Sequence, residues 1–332
     1  MLVIFMVKFG IELVPQTPIN KIVDLTVLAE ELGLDTVWIT DHFYNRNTYI
    51  TLTAIALKTK KIHLGPGVTN PYVVNPVWTA SAIASLDEVS GGRALLGIGA
   101  GDKVTLEKLS ISQKIPLTAI KESVQTIRRL LNGEAVTFEG RFLKMKDARL
   151  SFKPAHEVPI YIGAQGPKML KLSSKIGDGI LINASNPKDF EYAMGIIKEA
   201  AGEKLKKLDI VAYTCFSIDE DRGEARNKAI PIVAFIVAGA PEKVLERHGV
   251  NLENAEKIKE ALARGDFKKA FKNVTEDMVK AFSIYGTPED CIKSIKELLN
   301  IGVTHVVFGS PLGVKKKKAL RLIGENVIPA FK

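Results

Sequence analysis

Cysteine is almost absent from this chain. Cys215 and Cys291 are the only two in 332 residues, too few for a disulfide framework or a thiolate metal site, and they place the protein in a reducing cytoplasm. Several signatures are also missing: GxGxxG, the Walker loop GxxxxGK[ST], GxSxG, a Cys–His nucleophile pair, and any Cys/His/carboxylate spacing that would hold a metal. These absences set aside a nucleotide site of the first two types and a serine or cysteine nucleophile, and no metal is expected. The opening MLVIFM is only six residues long, short of a membrane span and without a signal-cleavage pattern. Met6, followed by VKFGIE, reads as the more natural start, which makes residues 1–5 an upstream extension. Glutamine is scarce while Lys and Glu are plentiful, a composition that leans toward a thermophilic source.

What is present is ordinary for a globular chain: 46% hydrophobic and 25% charged residues. The formal charge of +9 suits anionic small molecules, but no basic stripe is interleaved with aromatics, so neither nucleic acid nor membrane is an expected partner. The dense run Lys315–Lys318 reads as a solvated face. Eight short apolar runs alternate with amphipathic stretches: 7–13, 36–40, 62–68, 93–100, 159–164, 179–183, 210–218 and 305–309. Near-continuously apolar strands, each followed by a helix, are buried on both faces of a parallel sheet. Eight such units predict an α/β fold, a closed (β/α)8 TIM barrel. Residues 134–157 alternate like a hairpin around Glu139-Gly140, and residues 219–286 form a mostly helical insertion. With no linker or charge step between them, residues 1–332 read as a single barrel domain carrying two insertions.

In a barrel the chemistry gathers at the C-terminal ends of the strands. Read in order, those ends are Glu12, Asp41-His42, Gly67-Val68-Thr69-Asn70, Gly99-Ala100-Gly101-Asp102, Gly163-Ala164-Gln165-Gly166, Asn183 and Gly309-Ser310. Glycine there lets backbone approach a ligand, and helix-start amides favour an anion, a reading that Pro167 strengthens for the loop at 163–166. The plainer reading is a pair of tight βα turns. A carboxylate at a barrel mouth, as Glu12 would be, is either an acid tuned by desolvation or half of a salt bridge. Asp41-His42 either meets a ligand or caps a helix beside a satisfied rim histidine, and Asp102 is either a second site carboxylate or the N-cap of the next helix. The stretch HLGPGVTNPYVVNP (63–76) is the most unusual of these ends, with two glycines and three prolines crowding one turn.

Four motifs, LGLDTVWITDHF, LGPGVTNPYVVNP, SGGRALLGIGAGD and PIYIGAQGP, occur in order and with barrel spacing. Together they resemble the bacterial luciferase-like superfamily, and more closely its deazaflavin (coenzyme F420)-dependent branch. With the FGIELVP opening, the whole set is most similar to the methylenetetrahydromethanopterin reductase family of methanogenic archaea. The resemblance runs from about residue 6 to the C-terminus.

It implies a luciferase-like TIM barrel with insertions, a homodimer or homotetramer, and no metal. The implied reaction is reversible hydride transfer from reduced coenzyme F420 to methylenetetrahydromethanopterin, giving the methyl form. The alternatives on this barrel are another F420-dependent dehydrogenase, for a secondary alcohol or sugar phosphate, or an FMN-dependent monooxygenase. The resemblance also implies a non-prolyl cis peptide at or beside Gly67-Val68, backing the deazaflavin ring. By the same token Asp41, His42, Gly67, Val68, Asn70, Gly99 and Gly101 would face the ring and its ribityl chain, and Gly163, Ala164, Gln165 and Gly166 would hold the phosphate. For the catalytic proton it points to Glu12 first and Asp102 second. Asp102 stands where sugar-oxidising relatives carry Glu, so its role stays open.

Overall fold

Valine, isoleucine and leucine supply the strands, and polar residues with proline or glycine open and close the helices between them. In the computed structural model, which describes residues 7–332, the barrel strands are β1 (Lys8–Leu13), β2 (Thr36–Ile39), β3 (His63–Pro66), β4 (Leu96–Ile98), β5 (Ile160–Gly163), β6 (Gly179–Ile182), β7 (Asp209–Ile218) and β8 (His305–Leu312). Their hydrogen-bonded order is β3-β2-β1-β8-β7-β6-β5-β4, and the parallel bridges Leu64–Ala94 and Thr69–Ile98 link the two ends of that series. This is a (β/α)8 barrel of eight parallel strands. Each strand falls inside or overlaps one of the eight runs read from the sequence. The extension read at residues 1–5 lies outside the described residues.

The chain forms two compact units. One comprises Gly10–Ile182 and Gly195–Val211, and every residue singled out above as a cofactor or proton-handling candidate belongs to it. Here β2 and β6 are buried along their whole length, as strands covered by helices on one side and barrel interior on the other must be. Trp38 is in register with Gly65, and Tyr161 lies between Gly97 and Gly179 in register. The two rings meet edge to face at 5.2 Å. A β-carbon at Gly179 would collide with the Tyr161 ring, and one at Gly97 would meet the Pro66 carbonyl with the Trp38 ring 3.2 Å away. Two large rings and the glycines beneath them therefore fill this part of the core.

The prolines of residues 63–76 divide the turn into separate tasks. Pro66 ends β3, Pro71 follows the Asn70 turn, and Pro76 is the first residue of the helix Pro76–Ser90. Asn75 caps that helix by accepting from the Val77 N–H at 2.9 Å, and proline at the first position gives up only a donor that the helix leaves unpaired. Gly91 closes it in the left-handed conformation (φ 67°). Arg93 follows, 8% exposed. Its guanidinium donates to the carbonyls of Ser90, Ile62, Ala56 and Thr59 and to the Thr59 hydroxyl, at 2.7–3.2 Å.

Two carboxylates do similar work for loops. Glu30 accepts from the N–H groups of Lys60, Lys61 and Ile62. Glu122 accepts from Arg141, Phe142 and Leu143, which closes the turn of the antiparallel hairpin Val136–Glu139/Lys144–Ala148. For both, burial pushes the carboxyl upward, but the backbone N–H groups outweigh it and hold each below the ordinary 4.5. A depressed folded-state pKa means the stabilisation is complete above pH 4.5 and is lost as pH falls through the lowered value. The contribution of these two carboxylates to the urea midpoint should therefore be flat above about pH 5 and fall below it. Glu122→Gln should start lower at neutral pH and fall less steeply, as denaturation monitored at fixed pH values will read.

The second unit comprises residues 7–9, Asn183–Met194 and Ala212–Lys332. Residues 219–286 supply five helices, Arg222–Gly239, Glu242–Arg247, Leu252–Ala263, Phe267–Lys272 and Glu276–Phe282, around an apolar cluster that includes Val233, Val237, Ile258, Met278 and Phe282. The segment ends in a strand the sequence reading did not anticipate, Ile284–Gly286, parallel to β7. Asp189 joins this unit together through Arg247 (2.7 Å) and His248 (2.9 Å). Lys318, in the run read as a solvated face, pairs at the surface with Asp219 and Glu220 at 3.1 and 2.7 Å.

Candidate active site

Backbone bonds between neighbouring strand ends set the rim. The Gly67 N–H donates to Ile39, Thr69 to Gly97, and Gly99 back to Thr69, at 2.8–3.0 Å, so the turn after β3 is held between β2 and β4. Within it the Gly67–Val68 peptide is cis. The Val68 side chain lies over two glycines of other strands. A β-carbon on Gly99 would stand 2.8 Å from Val68 Cγ2, and one on Gly163 would stand 3.7 Å from it. Val68, Gly99 and Gly163 thus come together in space from three strand ends.

Asn70 and Gly101 form a second contact. Asn70 Oδ1 accepts from the N–H groups of Tyr72 and Val73 at 3.2 and 3.1 Å, and its Cγ would lie 3.2 Å from a β-carbon on Gly101, which has φ +80°. Asp102 adopts the helix-cap role that was one of its two readings. Exposed, it accepts from the Thr105 N–H (2.8 Å) and hydroxyl at the start of the helix Lys103–Lys108. Asp41 and His42 follow β2 directly and are half-buried. His42 stacks on Tyr44 with ring centroids 5.2 Å apart and planes 6° from parallel, and Lys108 reaches over the Tyr44 ring.

Burial lowers the His42 pKa below the ordinary 6.5, while the carboxylates of Asp102 and Asp41 pull it back up. The imidazole is therefore neutral at neutral pH. An NMR titration should place its midpoint below 6.5, and Asp102→Asn should move it lower still, because removing a negative charge removes what favours the imidazolium.

Glu12 sits deeper, half-buried on β1 and in register with Trp38. Gly163 ends β5, Ala164 is buried, and Gln165 and Gly166 are exposed. Gly166 opens the helix Pro167–Ile176, whose N-terminus has no side-chain cap and no acid in its first turn, and space around Gly166 is open to 4 Å. Free helix-start amides without a competing carboxylate suit a phosphate.

A flat ring carrying a phosphate tail fits these features. The glycines at 99 and 163 leave Val68 as a smooth backing, and the uncapped helix start offers donors to the anion. Thr40, 6% exposed and next to Asp41, has a hydroxyl without a hydrogen-bond partner. Among the described residues no group of three or more His, Cys, Asp or Glu is placed to hold a metal ion.

Sequence reading missed the segment that follows Asp102. Gln113 Nε2 donates to the carbonyls of Ala100 and Gly101 at 2.8 and 2.9 Å, and the Tyr72 hydroxyl donates to the Lys114 carbonyl at 2.6 Å. The second pair is 42 residues apart in sequence, and no local pattern marks either.

The luciferase-like monooxygenase family model matches residues 1–305. The chain is 52% identical to the 5,10-methylenetetrahydromethanopterin reductase of Archaeoglobus fulgidus, over 98% of this chain and 100% of that one. It is also 52% identical to the enzyme of the same name from Methanolobus tindarius, over 96% and 99%. The solved coenzyme F420-dependent tetrahydromethanopterin reductase of Methanopyrus kandleri superposes with a TM-score of 0.93 at 46% identity, covering 98% of this chain and 99% of that one.

Proposed function

The chain belongs to the luciferase-like monooxygenase family, and from that premise we infer that it is an F420-dependent methylenetetrahydromethanopterin reductase, an oxidoreductase of methanogenesis. The observation that carries this reading is identity of about half the residues, at nearly full length on both sides, to reductases of that name. Coenzyme F420 is the cofactor and the tetrahydromethanopterin one-carbon carrier is the substrate.

When bound, the cofactor supplies a hydride. The substrate's methylene carbon takes up that hydride as one of its C–N bonds opens, and the freed nitrogen takes a proton. In this reading Glu12 gives that proton, and Asp102, already engaged with Thr105, orients the pterin or acts as the second acid. Asp41, His42, Gly67, Val68, Asn70, Gly99 and Gly101 face the deazaflavin. Gly163, Ala164, Gln165 and Gly166 hold its phosphate at the uncapped helix start. The protein's larger contribution is to stack two ring systems face to face and keep water out. Residues 1–332 act as one barrel domain with two insertions, in a cytoplasmic homodimer or homotetramer. Among the described residues no helix is long and apolar enough to cross a membrane.

The deciding experiment mixes the protein with reduced F420 and follows its oxidation with and without methylenetetrahydromethanopterin. Oxidation only with the pterin supports the reading. Silence with the pterin but turnover with a secondary alcohol or sugar phosphate replaces the substrate and keeps the family.

A further inference from the structure

Residues 109–115 connect the short helix Lys103–Lys108 to the long helix Pro116–Leu131, and they do so at local expense. Ser110 (φ 57°) and Ile115 (φ 45°) both occupy the left-handed region, which is unfavourable for a β-branched residue such as Ile115. A connection of this kind persists only where its surroundings hold it, and strained backbone of this kind gathers at functional sites. The surroundings here are specific. Gln113, half-buried, sends both its amide bonds to consecutive carbonyls of the loop after β4. One residue on, the Lys114 carbonyl accepts from Tyr72. Tyr72 belongs to the turn after β3, where its own N–H is taken by Asn70, and its ring packs edge to face on Phe142 of the hairpin at 5.2 Å.

The contacts form a closed circuit. It runs from the β3 turn through Tyr72 to Lys114, through Gln113 to the β4 loop, and back through the backbone bonds of Thr69 with Gly97 and Gly99. We propose that residues 109–115 are a strap, and that Gln113 and Tyr72 are positioning residues that fix the β3 and β4 loops to one another for cofactor binding. The proposal rests on the F420 reading for its ligand but not for its geometry. Gln113 touches neither the cofactor nor the substrate in this scheme. It acts through the carbonyls of Ala100 and Gly101, whose orientation sets where Gly99, Gly101 and Asp102 stand.

Gln113→Glu is the sharpest variant, because it keeps size and shape but turns two donated bonds into carboxylate–carbonyl repulsion. Tyr72→Phe deletes one hydroxyl, keeps the ring against Phe142, and so remains informative if the first variant folds poorly. Three readouts separate the strap from the functional reading. In the ligand-free protein, hydrogen–deuterium exchange at amides 99–102 and 109–115 should quicken at least about tenfold in Gln113→Glu, and less in Tyr72→Phe, while the other barrel strands keep their protection. Quenching of F420 fluorescence should show the Kd rising about tenfold. In turnover the KM for reduced F420 should rise by a similar factor, with kcat at saturation within about twofold of wild type.

Unchanged exchange in both variants overturns the strap. Faster exchange with F420 affinity unchanged overturns its role in positioning. If wild type itself fails to bind F420, the functional reading falls, and the exchange experiment alone decides for or against the strap.

Discussion

Glu12→Gln is expected to lower pterin-dependent oxidation of reduced F420 by roughly 10²–10⁴-fold, the range that a positioned general acid contributes, while F420 still binds. Glu12 is the one carboxylate of the candidate set that lies within a barrel strand, half-buried and level with Trp38, where a fixed backbone can hold a proton donor toward a specific atom. Asp102 is exposed, lies beyond the strands and caps the helix Lys103–Lys108 through the Thr105 N–H and hydroxyl. Asp102→Asn should therefore cost much less, on the order of tenfold, and act mainly on the KM for the pterin. Measuring both variants under saturating cofactor decides between the carboxylates. If Asp102→Asn collapses kcat and Glu12→Gln does not, the assignment is reversed.

The largest effect on stability is expected at Arg93. Arg93→Met keeps a long apolar stem but removes every donor, and leaves the carbonyls of Ser90, Ile62, Ala56 and Thr59 without the partner that joins them. Hydrogen bonds from a charged donor contribute about 1.5–3 kcal/mol each but do not add in full when they share one group. A net loss of about 3–5 kcal/mol follows, read as a fall in the urea midpoint. Arg93→Lys should lie between the two, because an ammonium has three donors on a point charge where the guanidinium has five on a rigid fork. A loss under about 1 kcal/mol in Arg93→Met would show that water replaces the guanidinium and that the hub is not structural.

Arg93 also illustrates where sequence reading ends. The strands were legible because each is a short apolar run bounded by turn residues, and periodicity is a local property. The hairpin around Glu139-Gly140 and the helical character of residues 219–286 were legible for the same reason. Arg93, Glu30 and Glu122 were not, because each acts on groups about 20 to 37 residues away and stands in an unremarkable local context. Arg93 was read only as the start of the apolar run 93–100, and nothing local shows that Ala56, Thr59 and Ile62 surround it. In the candidate site, the glycines at 99 and 163 could be noticed as strand ends, but only the fold brings them beneath Val68. Asp102 was left between a site carboxylate and a helix cap; the fold shows the cap, because Thr105 stands one turn on with its N–H toward the carboxylate. The strap was invisible because glutamine and tyrosine carry no positional signal of their own.

Trp38 and Tyr161 over their glycines have a consequence for how this barrel can be rebuilt. The rings come from β2 and β5, and the glycines that yield space to them, Gly97 and Gly179, lie on β4 and β6. These four positions form one inheritance unit. A chimera that grafts strands from a relative keeps its core only if ring and glycine travel together or are exchanged as a set. Directed evolution of the mouth above should accordingly leave positions 38, 97, 161 and 179 out of its libraries and vary the loops alone.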